Sequence, residues 1–121
     1  MKNTLRIGIA SYADMKARTV AIAKGTIKVG QDEPSVWFLS IESVAKILSD
    51  KNRALLELIA QTKTLSLTEL AEKTGRKKSN LSRTLKTMAS YGLVDLHKES
   101  GRLVPSVSYS NISLVLPVGV P

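Results

Sequence analysis

The chain has 121 residues, 43% of them hydrophobic, enough for one compact domain, or a small domain with an arm, around a modest core. It has no cysteine and a single histidine, His97, which excludes disulfides and thiol chemistry and leaves little material for a His-rich metal site or a Ser-His-Asp constellation. The formal charge is +8 while aromatic residues make up only 4%, which favours a polyanionic partner over a stacking platform for single-stranded nucleic acid.

The N-terminus carries no basic-then-apolar leader pattern, and apolar stretches such as Leu114-Val115-Leu116 are far too short to span a bilayer. The expectation is a soluble, cytoplasmic protein with no membrane contact. Residues 4–10 alternate loosely, with Leu5, Ile7 and Ile9 on one face of a short strand. Ser11, with Asp14 three residues on, offers a helix cap. Tyr12, Met15, Thr19 and Ile22 then recur at helical spacing until Gly25. Residues 26–34 are polar, broken by Gly30 and Pro34, and read as a loop in which Asp32 and Glu33 are solvated. The apolar run at 35–39 reads as a short strand, with Trp37 and Phe38 as core or interface residues and not a stacking pair. Residues 1–40 thus form an N-terminal strand-helix arm, for dimerisation or partner binding.

A compact domain is expected over residues 41–110. Ser40 caps a helix carrying Ile41, Val44, Ala45, Ile47 and Leu48. After a break near Ser49-Asp50, a stronger helix over 51–62 buries Leu55, Leu56, Leu58 and Ile59. Ser66-Leu67-Thr68-Glu69 is a capping box opening a short helix over 67–73, and Gly75 follows its last turn. The next helix, over about 77–91, places Leu81, Leu85, Met88 and Ala89 on one stripe. Beyond Gly92 the period shifts towards two. Leu93, Val94 and Leu96 read as one strand, and Leu103, Val104 and Val107 as another, with Pro105 arguing for an edge. Glu99-Ser100-Gly101 is the hairpin tip. Residues 112–116 read as a last strand and 117–121 as a loose tail, so 111–121 is a C-terminal strand and tail. The first and last strands pair, within one chain or across a dimer.

Charge is concentrated in one place. Residues 75–92 hold Arg76, Lys77, Lys78, Arg83 and Lys86 with no acidic residue, five of the eight excess positive charges. The helix stripe turns Lys78, Ser79, Ser82, Arg83 and Lys86 outward, with Asn80 at the boundary. Arg forks onto guanine, Asn pairs adenine, and Ser bonds bases or phosphate. Lys77 and Lys78 sit at the positive end of the helix dipole, beside uncapped backbone N–H groups. No carboxylate lies between Lys77 and Tyr91 to pair Arg83, so base contact is expected of it. Ser79 and Asn80 remain open between helix cap and base contact. Helix, capped short helix, glycine turn, basic helix and hairpin are together the order of a winged helix-turn-helix. Lys98 and Arg102 flank the wing tip and face phosphate or a minor groove, with Glu99 opposing. His97 is an exposed strand residue. The expected DNA contacts are Arg76, Lys77, Lys78, Ser79, Asn80, Ser82, Arg83, Lys86, Lys98 and Arg102. Neither a paired-carboxylate cleft nor a glycine-rich phosphate loop emerges, so the expectation is a non-enzyme without cofactor or metal.

The run 67–96 resembles the winged helix-turn-helix regulators of MarR-like type at Leu70-Ala71, Gly75, Ser79, Leu81-Ser82-Arg83, Leu85, Met88 and Tyr91-Gly92-Leu93-Val94. The likeness covers about residues 51–107. It implies a recognition helix read through Lys78, Ser79, Asn80, Ser82 and Arg83. Lys77 departs from the capping Ser or Thr frequent there, and residues 1–40 are not the usual dimerising helix. The whole chain, DEPSVWF included, is similar to a group of small prokaryotic DNA-binding proteins, some of them antitoxins paired with a toxin. The fold class expected is α+β: a mainly helical winged helix-turn-helix with a two- to three-stranded wing and the N-terminal arm. The function expected is sequence-specific binding of double-stranded DNA by a homodimeric repressor that occludes a promoter. The alternatives are an antitoxin that blocks a toxin and regulates its own operon, or a winged helix used for protein contacts alone. An RNA-binding role is disfavoured by the scarce aromatics.

Overall fold

The computed structural model describes residues 4–25, 34–62, 65–116 and 118. The loop expected over 26–34 falls, apart from Pro34, outside the described residues, as does the tail apart from Val118. The described elements are β1 (Thr4–Ile9), α1 (Tyr12–Ala23), β2 (Val36–Phe38), α2 (Ile41–Ile47), α3 (Asp50–Gln61), α4 (Leu67–Thr74), α5 (Lys78–Ser90), β3 (Asp95–Glu99), β4 (Arg102–Ser106) and β5 (Asn111–Val115). The chain divides into two compact units, Met1–Lys46 with Tyr109–Pro121, and Ile47–Ser108.

In the first unit β1 lies between β2 and β5, parallel to both. Ile7 stands opposite Val36 on one side and Leu114 on the other. The first and last strands therefore pair within one chain. The sheet that holds the N-terminal strand is thus completed by a strand from the far end of the sequence. The boundary between the units falls between Lys46 and Ile47 and not at residue 40, so that all of α2 but its last residue belongs to the first unit. Ile7 and Phe38, 0% and 1% exposed, anchor the core here with Val36 and Val44.

Gly8 is needed for a close approach. A Cβ at that position would lie 2.6 Å from the Trp37 ring and 2.8 Å from Pro34. The ring thus rests on bare backbone, with the Arg18 guanidinium 5.7 Å from its centroid. Helix α1 starts as expected, Ser11 accepting from the Asp14 N–H at 3.1 Å. However, none of its residues is buried, and Tyr12, read as part of an apolar stripe, is 77% exposed. Its apolar positions are diluted by Ala, Thr and charged neighbours, so the stripe is too narrow to seat the helix deeply.

The second unit is a winged helix-turn-helix, and the fold class is α+β. Helix α3 is capped by Ser49, whose Oγ accepts from the Asn52 N–H at 3.3 Å, and it buries Leu55, Leu56 and Ile59. Helix α4 opens with the expected capping box: the Ser66 N–H donates to Glu69 Oε1 at 2.9 Å, and the Glu69 N–H to Ser66 Oγ at 3.3 Å. It closes at Gly75, which adopts the left-handed conformation. Leu70, Leu81, Leu85, Met88 and Leu93, all 0% exposed, form the centre of this core, each side chain contributing roughly 1.5–3 kcal/mol by burial.

The wing is two-stranded, β3 antiparallel to β4 with Glu99 opposite Arg102. Its tip residues Ser100 and Gly101 both have positive φ, 53° and 77°, as a two-residue type I′ connection requires. Leu93 and Val94, expected at the start of the first wing strand, precede it instead. Gly92, at φ 84°, reverses the chain after α5. The Leu93 N–H donates to the Met88 carbonyl at 2.9 Å and the Gly92 N–H to that of Ala89 at 3.0 Å. That is a Schellman motif, and it turns Leu93 into the core rather than along a ladder. Val107, assigned to the second wing strand, lies beyond the end of β4 at Ser106.

Candidate nucleic-acid interface

Helix α5 is the element on which the expected contacts converge. Leu81, Leu85 and Met88 are fully buried, which rolls the opposite face of the helix outward. Lys77, Lys78, Ser79, Asn80, Arg83 and Lys86 are exposed on it, and Ser82 is half-buried beside them. None of these cations has an ion-pair partner among the described residues. Sequence spacing was enough to find this surface, because a helical period of 3.6 residues converts a buried stripe directly into an exposed one.

Lys77 is the N-cap residue, in extended conformation, and offers no side-chain hydrogen bond to the first turn. Helix α5 itself begins at Lys78, one residue inside the expected start. The first backbone N–H groups are therefore not capped by a protein side chain at that position, and two lysines stand beside them. Within the helix the Thr87 hydroxyl donates to the Arg83 backbone carbonyl at 3.0 Å, and the Arg83 side chain is exposed.

Arg76 stands apart from the other cations. It is half-buried, and its guanidinium donates to Asn80 Oδ1 at 3.0 Å, Asn52 Oδ1 at 3.1 Å and Thr84 Oγ1 at 3.2 Å. The structure thus places Arg76 within the junction between the helices and not on the outward face. Its backbone N–H is tied to the Thr74 hydroxyl at 3.2 Å. Asn80, open at the sequence level between cap and contact, makes no cap bond; it is exposed, and its oxygen receives Arg76. Asn52 and Thr84 were not legible as partners. Asn52 lies 24 residues away in sequence, and only the crossing of the helices brings it near.

On the wing, Lys98 and Arg102 are exposed. Glu99 is engaged by His97, Nε2 to Oε2 at 2.6 Å, so the acidic residue at the tip is partnered along its own strand. The Glu69 carboxyl is held below its ordinary range, first by the Ser66 backbone N–H and then by the Ser66 hydroxyl, with the positive fields of Arg102 and Lys73 adding to the effect. Among the described residues no three His, Asp or Glu side chains gather into a metal-binding group, and no helix is long and apolar enough to cross a membrane.

The HVO_A0114 family model matches residues 47–114, more than half of the chain. The chain belongs to the HVO_A0114 family. The matched segment begins where the second unit begins and runs through the wing into β5. No curated protein matches the chain. Among solved structures, it is similar to an Escherichia coli protein described as a predicted DNA-binding transcriptional regulator, at 21% identity over 80% of this chain and 83% of that one, TM-score 0.48. It is also similar to the homodimeric winged helix-turn-helix DNA-binding domain of Mb0332 from Mycobacterium bovis, a possible ArsR-family regulator. That match has 26% identity over 56% of this chain and 63% of that one, TM-score 0.49. A third is HlyU from Vibrio cholerae, 24% identical over 55% of this chain and 73% of that one, TM-score 0.48.

Proposed function

We propose that this protein is a sequence-specific regulator of MarR-like type that binds double-stranded DNA through α5 and represses transcription as a dimer occluding a promoter. The observation that carries the reading is the outward face of α5: exposed, free of acidic residues, and fixed in orientation by three fully buried side chains. A helix fits the major groove, and a cationic face gains free energy there by releasing counterions from the phosphates.

The roles divide by position. Lys77, Lys78 and Lys86 neutralise phosphates, the first two with help from the helix N-terminus. Arg83 reaches a base edge, with Ser79 and Ser82 as small polar contacts that let the backbone approach closely. Lys98 and Arg102 on the wing reach the backbone or the minor groove alongside. A two-fold dimer presents two copies of α5 to a palindromic site, since one helix reads only a few base pairs.

The experiment is selection from a randomised duplex pool with the full chain, followed by binding measurements on the winner. Arg83→Ala is expected to lose about 1–3 kcal/mol of discrimination at one base pair per half-site while retaining affinity for unrelated duplex. If the selected preference survives Arg83→Ala intact, that residue does not read a base. If the wild type shows no salt-dependent affinity for any duplex, the DNA-binding reading itself falls.

A further inference from the structure

The link between α4 and α5 contains a side-chain latch. Arg76 bonds to Asn52 on the first turn of α3 and to both Asn80 and Thr84 on α5. Asn52 is itself fastened from behind, its Nδ2 donating to the Ile47 carbonyl at 3.0 Å. One guanidinium thus ties the end of α2, the start of α3 and two turns of α5 into a single hydrogen-bonded chain.

The chemistry of the partners fixes which way each amide faces. A guanidinium has five N–H donors and no acceptor, so the Asn80 and Asn52 atoms that meet it are the amide oxygens. A backbone carbonyl only accepts, so the Asn52 atom meeting Ile47 is nitrogen, which again turns its oxygen to Arg76. For Asn80 the consequence is outward. With its oxygen held at 3.0 Å by a cation, the exposed amide presents its NH2, which has no further partner among the described residues.

We infer that Arg76 is a positioning residue, not a phosphate contact, and that it makes Asn80 a hydrogen-bond donor to the acceptor edge of guanine. The inference rests on the DNA-binding reading above. The fork by which an asparagine pairs adenine needs its oxygen to accept from N6 while its nitrogen donates to N7. Here one of the two lone pairs of that oxygen already accepts from Arg76, which weakens it as a partner for N6, whereas guanine offers two adjacent acceptors, N7 and O6, to a single NH2.

Two sets of measurements separate this inference from the reading beneath it. The first needs no DNA: urea unfolding of the full chain as wild type, Asn52→Ala, Arg76→Ala and the double variant. A latch predicts that the second substitution shifts the midpoint much less once the first is present. Strictly additive shifts overturn the latch whether or not the protein binds DNA. The second uses the duplex selected from a randomised pool. Arg76→Lys keeps the charge but not the fork, and is expected to lose roughly 5- to 150-fold discrimination at the guanine read by Asn80, with an unchanged salt slope. Asn80→Asp keeps an acceptor for Arg76 but lacks the NH2, so it is expected to lose the same discrimination without loss of stability. An adenine preference at the Asn80-dependent position overturns the orientation. A salt slope that flattens by about 0.9 in Arg76→Ala with discrimination intact makes Arg76 a phosphate contact and overturns its positioning role.

Discussion

Removing Lys86 tests the electrostatic argument most directly, because the lysine lies on the exposed face of α5 without an ion-pair partner among the described residues. Each phosphate neutralised adds about −0.9 to the slope of log affinity against log salt. Lys77, Lys78 and Lys86 then give a slope of about −2.7 per chain, which corresponds to a loss of about 40-fold in affinity between roughly 50 and 200 mM salt. Engagement of Lys98 and Arg102 as well raises the slope to about −4.5 per chain, and a dimer doubles either value. Lys86→Ala is expected to flatten the slope by about 0.9 for a single bound chain and about 1.8 for a dimer. The loss should be the same on the selected duplex as on unrelated sequence, since a phosphate carries no base identity. Fluorescence anisotropy of labelled duplexes over a salt series measures both quantities. An unchanged slope in the variant, or a loss confined to the selected sequence, would refute the assignment of Lys86 to the backbone.

Three other predictions concern the scaffold. Leu85→Ala, at a fully buried position, is expected to destabilise the protein by about 3–5 kcal/mol, read as a lower urea midpoint; a cost under about 1 kcal/mol would mean that the stripe does not anchor α5. Gly8→Ala forces a Cβ against the Trp37 ring, at an overpacking cost of about 1–3 kcal/mol. Trp37 is the single tryptophan, so its emission should shift in Gly8→Ala, and unaltered emission and stability would contradict the close approach. Burial pushes the Tyr109 phenol up from 10.0 to about 12. Between those values the folded chain keeps a proton that the unfolded chain releases, so the contribution is full below pH 10 and lost as pH rises towards 12. Tyr109→Phe should therefore lose less stability than wild type over that interval, and parallel pH curves would show that the phenol is not so held.

Much of the second unit was legible in sequence because its determinants are local. The capping box at Ser66 and Glu69, the stripe of Leu81, Leu85 and Met88, and the acid-free run around them all act over a few residues, and the structure places each as its spacing requires. The strand boundary at Leu93 was missed for a local reason too. The six-to-one bond from the Leu93 N–H to the Met88 carbonyl takes precedence over an alternating pattern when the residue after Gly92 is wanted in the core.

The sequence by itself determined that α5 exists, which of its faces is buried, and that the opposite face is cationic, since helical periodicity and charge are properties of neighbouring residues. Only the tertiary structure decided that the N-terminal strand is completed by β5, and that Arg76 is engaged with Asn52, Asn80 and Thr84 rather than standing on the open face. Both depend on residues far apart in the chain meeting in space. Hydrogen-bond capacity is written in a side chain, but which partner satisfies it is settled by how the elements pack.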